Sequence, residues 1–157
     1  MSGHRVSHGW RLLFHPAFLE PYRRLARQVE LLKERHPDTY HSKAVTKRLA
    51  ALERLVYELI PEDPSRSEYR LGDALGRDRR HWFRAKFFQQ YRLFFRFHAA
   101  SRLIVYGWVN DETSKRAYES DDDAYLIFQR MLKNRFPPDD WELLLHQASG
   151  LPASGPR

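Results

Sequence analysis

Hydrophobic residues in the first sixty positions recur with the spacing of two amphipathic helices. A first set follows steps of four and three residues, which places it on one face of a helix that begins at Pro16 and ends near Arg35. Its members are Phe18, Tyr22, Leu25, Val29 and Leu32. The same spacing returns over residues 45–59, after Ser42, a favourable residue type for capping a helix. Two helices with a short connection predict an antiparallel helical hairpin.

Period-two patterns predict the strands. Residues 10–14 form a short strand before the first helix. Residues 82–88 and 91–98 alternate between apolar and polar side chains on either side of a turn at 89–90, and a third strand follows over 103–109. Three consecutive strands of this kind predict an antiparallel meander.

Two further helices are predicted near the C-terminus. One opens after the acidic run 121–123, and a shorter one follows Pro137 and Pro138. Together the elements predict an α+β fold in one domain over residues 1–157. In it, a small antiparallel β-sheet packs against the N-terminal helical hairpin, with the C-terminal helices beside it. The polar ends, residues 1–9 and 149–157, are expected to be flexible.

Composition and charge exclude several classes of function. The 157 residues include 27 Lys and Arg against 20 Asp and Glu, a net charge of +7, which favours a polyanionic partner. The absence of cysteine excludes disulfides, thiolate catalysis and cysteine-ligated zinc, and it fits a cytoplasmic location. The sequence has no apolar run that could serve as a signal peptide or cross a membrane. Scattered histidines and the lack of a phosphate-binding glycine loop predict neither a metal site nor a cofactor.

The excess charge is concentrated in residues 77–96. Seven of these residues are basic and one, Asp78, is acidic. The basic residues are Arg77, Arg79, Arg80, Arg84, Lys86, Arg92 and Arg96. Strand alternation puts the last four on one face of the meander with aromatic residues between them, a mixture that suits single-stranded RNA. A solvated sheet face with cations that discourage edge aggregation is the alternative interpretation.

Motifs along most of the chain resemble one family. The segment WFRAKFF at 82–88, followed by YRLFFR at 91–96, resembles the central strands of the RelE superfamily, and KRAY at 115–118 resembles its C-terminal Arg/Tyr element. The resemblance is closest to the YhaV family of bacterial toxins. The motifs that carry it are GW at 9–10, HPAF at 15–18, YRLFFR at 91–96, GWVNDE at 107–112, RAY at 116–118 and PPDDW at 137–141. The resemblance implies a RelE-like fold.

The resemblance also implies an activity, that of a metal-independent endoribonuclease in which the RNA's own 2′-hydroxyl attacks the adjacent phosphate. Arg84 and Lys86 match the basic pair that holds and activates this phosphate, and Arg92 matches a transition-state stabiliser. Tyr118 matches a base-stacking tyrosine. Lys86 is a candidate general base, while Arg116 and His98 are candidate general acids. The further expected RNA-binding residues are Arg77, Arg79, Arg80, Trp82, Phe94 and Arg96.

Two departures from the superfamily pattern leave the general acid open. The spacing from Lys86 to Arg92 is one residue shorter than in RelE itself. In addition, Glu112 stands where RelE has an arginine six positions before the C-terminal tyrosine.

Membership of such a family implies partners. The substrate would be mRNA, cut on the ribosome, and the toxin would be neutralised by a cognate PrlF-like antitoxin of the AbrB type, with no membrane involved. A non-catalytic toxin of the ParE type, which inhibits DNA gyrase, is one alternative function. A module that binds RNA without cutting it is another. The combination of Arg84, Lys86, Arg92 and Tyr118 favours the nuclease.

Overall fold

The computed structural model describes residues 5–112 and 123–149. Within them, one sheet contains five strands in the spatial order β1-β2-β5-β4-β3. The strands are β1 (Arg5–Ser7), β2 (Trp10–Phe14), β3 (Phe83–Phe87), β4 (Tyr91–His98) and β5 (Leu103–Val109). The helices are α1 (Pro16–Arg35), α2 (Ala44–Arg54), α3 (Ile60–Glu62), α4 (Ala124–Lys133) and α5 (Trp141–Gln147). The predicted strands and helices are therefore present, and the fold is a mixture of sheet and helix.

The sheet is mixed, so the prediction of a purely antiparallel sheet is wrong. The β3–β4–β5 meander is antiparallel as predicted. However, β2 runs parallel to β5, with Arg11 opposite Leu103 and Phe14 opposite Tyr106. The long connection between these two strands contains α1, α2 and the β3–β4 hairpin, and a parallel pair requires a crossover of this length.

The two ends of the described chain also depart from the prediction. Arg5–Ser7, expected to be flexible, pairs with β2 through a tight turn at His8 and Gly9, which have φ angles of 51° and 83°. At the other end, Ser149 forms a backbone bridge with Phe14, with N–O distances of 2.7 and 3.0 Å. Backbone pairing with β2 therefore holds Arg5–Ser7 and Ser149, which composition alone assigned to loose tails.

Helices α1 and α2 pack on one face of the sheet. Tyr22 near the start of α1 donates a hydrogen bond of 2.7 Å to Glu53 near the end of α2, so the helices run antiparallel. The residues that form this core layer include Phe18, Leu25, Leu52, Val56, Leu93, Phe95 and Tyr106. Ser42 does not cap α2 as expected, because it lies in a 3-10 turn and its hydroxyl donates to the carbonyl of Thr39.

Helices α4 and α5 cover the opposite face. Phe94 of β4 stacks on Phe128 of α4 with ring centroids 4.3 Å apart, and Trp82 meets the same ring edge-on at 5.0 Å. Leu144 of α5 is fully buried in this layer. The face that the sequence assigned to RNA is thus largely a second hydrophobic core, and the sheet lies between two helical layers.

A bulge in β5 directs some of its side chains towards the α1–α2 layer and others towards the α4–α5 layer. Phe94 lies opposite Trp108, while Phe95 lies opposite Tyr106, so Gly107 has no partner in the ladder. Tyr106 packs in the α1–α2 layer and Trp108 in the α4–α5 layer. A Cβ atom at Gly107 would stand 2.8 Å from the Trp82 ring, which explains why glycine occupies this motif position.

Within residues 5–112 and 123–149, every helix is too short or too polar to cross a lipid bilayer.

Candidate active site

A cleft of about 330 Å³ opens where β3, β4 and the start of α4 meet. Its walls are formed by Ala74, Arg84, Lys86, Arg92, Asp123, Tyr125 and Leu126. Alternation along β3 places Arg84 and Lys86 on the same side of the strand, and Arg92 of β4 lies directly opposite Lys86. Strand pairing therefore brings together the three basic residues that the sequence assigned to the scissile phosphate.

The guanidinium group of Arg84 is fixed by the surrounding protein. Its Nε donates to the Tyr125 hydroxyl at 2.8 Å. Its NH1 group donates to the carbonyl of Arg70 at 2.7 Å and to that of Glu68 at 3.3 Å. These contacts leave the NH2 edge of Arg84 without a hydrogen-bond partner in the described part of the chain.

Arg92 is held in a similar way but is more deeply placed, with only 5% of its surface exposed. Its Nε donates to the Tyr125 hydroxyl at 3.0 Å, and its NH1 group donates to the carbonyls of Gln89 and Tyr91 at 2.7 and 3.0 Å. The predicted place of Arg92 on an exposed basic face is wrong, because Arg92 is buried and anchors the β3–β4 turn.

Lys86 is exposed at the mouth of the cleft. Its position opposite Arg92 sets two like charges directly across a strand pair, an arrangement that costs stability. Across residues 5–112 and 123–149, none of Arg84, Lys86 and Arg92 forms an ion pair with a carboxylate. Asp123 is the acidic residue in the cleft wall, where it is buried as the N-terminal flanking residue of α4.

Tyr125 is a site residue that the sequence did not reveal. Its place in the apolar repeat of α4 indicated a buried core residue, and its ring does pack edge-on against Phe94 at 5.6 Å. Its hydroxyl, however, reaches the cleft and accepts from both arginines. A hydroxyl-bearing ring within an otherwise apolar helix face was the one available signal.

Trp82 and Phe94, predicted to stack on RNA bases, are both completely buried. The Trp82 indole donates to the Asp139 carboxylate at 2.8 Å, and Phe94 lies in the α4–α5 layer. The prediction is wrong because an aromatic residue between cations fits a buried sheet face as well as an exposed one.

Arg96 lies outside the cleft. It donates to the carbonyl of Asp139 at 2.6 Å, and its guanidinium lies 5.6 Å from the Trp82 ring and 5.0 Å from the Trp141 ring. Partial burial raises the pKa of the Asp139 carboxyl. Hydrogen bonds from His81 and Trp82, together with the charges of His81 and Arg96, outweigh this effect and hold that pKa below its usual value. Arg96 thus belongs to a structural cluster.

His98 also lies away from the cleft. It ends β4, stacks on Trp141 and accepts a hydrogen bond from the backbone N–H of Ser101. It lies six positions beyond Arg92 on an extended strand, so the Cα atoms of the two residues are about 20 Å apart. His98 therefore cannot protonate a leaving group held at Arg92.

The remaining predicted residues do not line the cleft or lie outside the described residues. Arg77 and Arg79 belong to a 3-10 turn before β3, where Arg77 is exposed and Arg79 donates weakly to the carbonyl of Leu75 at 3.5 Å. Arg80 forms a salt bridge of 2.6 Å with Asp73. Arg116 and Tyr118 lie outside the described residues.

The cleft has the features of a phosphate-binding site in a protein that acts on nucleic acid. Fixed guanidinium groups and an exposed ammonium suit phosphate oxygens, and enzymes that transfer phosphoryl groups use such positive charge to stabilise the negative charge of the transition state.

Comparison with known proteins agrees with this class. Residues 12–149 match the family described as a toxin with endonuclease activity, of toxin-antitoxin systems. The chain belongs to this YhaV toxin family. It is 43% identical over 141 residues to the ribonuclease toxin YhaV of Escherichia coli strain K12, an alignment that covers 88% of this chain and 92% of the relative. The YhaV toxins of E. coli O157:H7 and O6:H1 are similar to the same extent. No solved structure is significantly similar to the chain.

Proposed function

We propose that the cleft is the active site of an endoribonuclease that cuts mRNA as the toxin of a toxin-antitoxin pair. The observation that carries the proposal is the convergence of three cations on a single cleft, none of them ion-paired with a carboxylate within residues 5–112 and 123–149. The family match supports the toxin role, and the 43% identical relative is itself named a ribonuclease toxin.

The cleft geometry assigns a task to each cation. Arg84 and Arg92 use Nε and NH1 for protein contacts, so each offers its NH2 edge to the scissile phosphate. Preorganised donors of this kind stabilise developing charge without a reorganisation cost during the reaction. A bound phosphate would also relieve the repulsion between Lys86 and Arg92.

In this cleavage reaction the 2′-hydroxyl loses a proton and the departing 5′-oxygen gains one. The 2′-oxygen of the RNA attacks the adjacent phosphorus, and the bond from phosphorus to the 5′-oxygen breaks. Lys86 can exchange protons with the RNA without giving up a contact to the described part of the protein. In its neutral form it would take the proton of the 2′-hydroxyl, and a second group, for which Arg116 is the candidate, would donate a proton to the departing 5′-oxygen. The products are a 2′,3′-cyclic phosphate and a 5′-hydroxyl.

Further details of the function follow from the family resemblance. We propose a RelE-like arrangement of the fold, action on the ribosome in the cytoplasm, and neutralisation by a PrlF-like antitoxin of the AbrB type. Arg116 and Tyr118 remain candidates for a general acid and a base-stacking residue. The basic cleft supports the antitoxin proposal because an acidic segment laid across Arg84, Lys86 and Arg92 would mimic the RNA backbone.

A substrate with one missing oxygen tests the proposal directly. In the presence of translating ribosomes the purified toxin should cut an mRNA, and replacing the nucleotide 5′ of the scissile phosphate by its 2′-deoxy form should abolish cutting at that bond alone. Mapping of the ends should show a cyclic phosphate and a 5′-hydroxyl. Cleavage of the deoxy substrate, or a 5′-phosphate product, would overturn the mechanism. Binding without any cleavage would instead support a non-cleaving RNA-binding module, and gyrase inhibition would support a ParE-like toxin.

A further inference from the structure

An exposed phenylalanine occupies the turn between β3 and β4. Phe88 has 51% of its surface in contact with solvent, although most large apolar side chains of the described protein are buried. It directly follows β3, two residues after Lys86. Its ring lies 6.0 Å from the Phe87 ring. The turn that carries Phe88 thus adjoins the strand that carries two of the cleft cations, Arg84 and Lys86.

The backbone at this turn is unfavourable for the residues it contains. Phe88 and Gln89 have φ angles of 47° and 61°, in the left-handed region where Gly and Asn are the usual residues. A bulky aromatic residue in this conformation reduces stability, so folding alone does not explain its presence.

Arg92 of the cleft and Asn110, just after the end of β5, hold the turn in place. The Arg92 guanidinium donates to the carbonyl of Gln89 at 2.7 Å, and the Asn110 side chain donates to the carbonyl of Gln90 at 3.0 Å. The position of Phe88 is thus coupled to the same arginine that is proposed to hold the phosphate.

We propose that Phe88 stacks on an unpaired base next to the scissile phosphate, so that the site takes single-stranded rather than double-stranded RNA. The proposal rests on the proposed function of the cleft. An exposed ring beside a row of cations is the combination that binds single strands, because the cations hold the backbone and the flat ring takes a base. A paired base is already stacked within its helix and cannot lie on the ring.

Binding to a non-cleavable RNA, with 2′-deoxy sugar at the scissile position, tests the proposal. Phe88→Asn should weaken binding by roughly five- to a hundredfold. Because Asn tolerates the left-handed conformation, this variant should be at least as stable as the wild type. Leu31→Gln removes another exposed apolar side chain, on α1 beyond the opposite face of the sheet, and should leave RNA binding unchanged. Phe88→Trp should retain binding.

An RNA that lacks one base gives a readout that does not depend on any variant. Removing the base next to the scissile phosphate should weaken binding to the wild type by the same factor as Phe88→Asn. In combination with Phe88→Asn, the same removal should have no further effect. Additive losses would overturn the stacking contact.

The outcomes separate this proposal from the proposed function. If Lys86→Ala abolishes cleavage while Phe88→Asn changes neither RNA binding nor the preference for single strands, the cleft is correct and the role of Phe88 is wrong. If neither variant has an effect, the cleft itself is wrong. If Phe88→Asn weakens only the binding of a protein antitoxin, the exposed ring is a protein contact and the stacking proposal is overturned.

Discussion

Arg84 and Arg92 donate hydrogen bonds to the same atom, the hydroxyl oxygen of Tyr125, at 2.8 and 3.0 Å. The two guanidinium groups come from neighbouring strands, and a residue of α4 sets the distance between them. The geometry of the phosphate site therefore depends on the packing of α4 against the sheet.

Tyr125→Phe should lower the turnover number for RNA cleavage by roughly 10- to 100-fold, since both arginines lose a common fixed point. The ring that packs on Phe94 is retained, but the buried Arg92 loses a hydrogen-bond acceptor, so the free energy of unfolding should fall by about 1–3 kcal/mol while the protein remains folded. Tyr22→Phe provides a matched control, because it removes one tyrosine hydroxyl from the α1–α2 layer. Wild-type turnover in Tyr125→Phe would show that the shared oxygen has no part in catalysis.

Lys86→Ala should reduce cleavage by about 100-fold or more and leave the fold intact, because Lys86 is exposed and is proposed to carry the proton transfer. The comparison is with Lys47→Ala, which removes an exposed lysine from α2. Single-turnover cleavage and urea unfolding should be measured for both variants. Equal cleavage rates in the two would contradict the proton-transfer role.

RNA binding should weaken as salt rises. Each neutralised phosphate on a single strand contributes a slope of roughly 0.7 in a plot of log K against log salt, so the three cleft cations should give a slope of about −2. Arg96 is excluded because it is engaged with Asp139 and two indole rings. Titrations with non-cleavable RNA at four salt concentrations would measure the slope. A value near −3 would mean that a fourth cation contacts the RNA.

Stability should fall in mild acid because of His15, which is fully buried. Its Nδ1 accepts from the Ala17 backbone N–H, so Nε2 carries the proton and donates to Gln147 at 2.7 Å. Burial lowers the pKa of His15, with the Gln147 hydrogen bond acting in the opposite direction. The folded state thus binds fewer protons than the unfolded state below about pH 6.5, and stability decreases as the pH falls through that range.

The variant His15→Asn isolates this contribution, because asparagine can cap a helix but does not titrate. Urea midpoints at pH 7.5 and 5.5 should differ more in the wild type than in His15→Asn. Identical pH dependence in the two proteins would exclude His15 as the source.

Local periodicity explains why part of the site could be predicted. Alternation along β3 puts Arg84 and Lys86 on one side, and the two-strand hairpin brings Arg92 opposite Lys86. These relationships involve residues close in sequence, which the period of a strand determines. The contribution of Tyr125 depends on how α4 docks, and strand periodicity carries no information about that.

The sequence also failed to predict that α4 and α5 cover the second face of the sheet, because the local pattern does not show which strand faces a helix will cover. Trp82 and Phe94 alternate with cations, a pattern compatible with either an exposed or a buried face. The sequence did contain one indication, the run LIVYGWV of β5, all seven residues of which are buried. Uninterrupted apolar strands are typical of sheets covered on both sides. The parallel pairing of β2 with β5 was also not predicted, because it depends on packing between segments that are distant in the sequence.

That parallel pairing has a consequence for when the toxin becomes active. Strand β2 leaves the ribosome during synthesis about ninety residues before its neighbour β5. A contact between such distant segments forms slowly because the intervening chain must first be closed into a loop. The phosphate cleft forms later still, because α4 supplies part of its wall and is synthesised after β5. A nascent chain that ends before α4 therefore lacks the cleft, and the complete site can exist only after α4 has been synthesised.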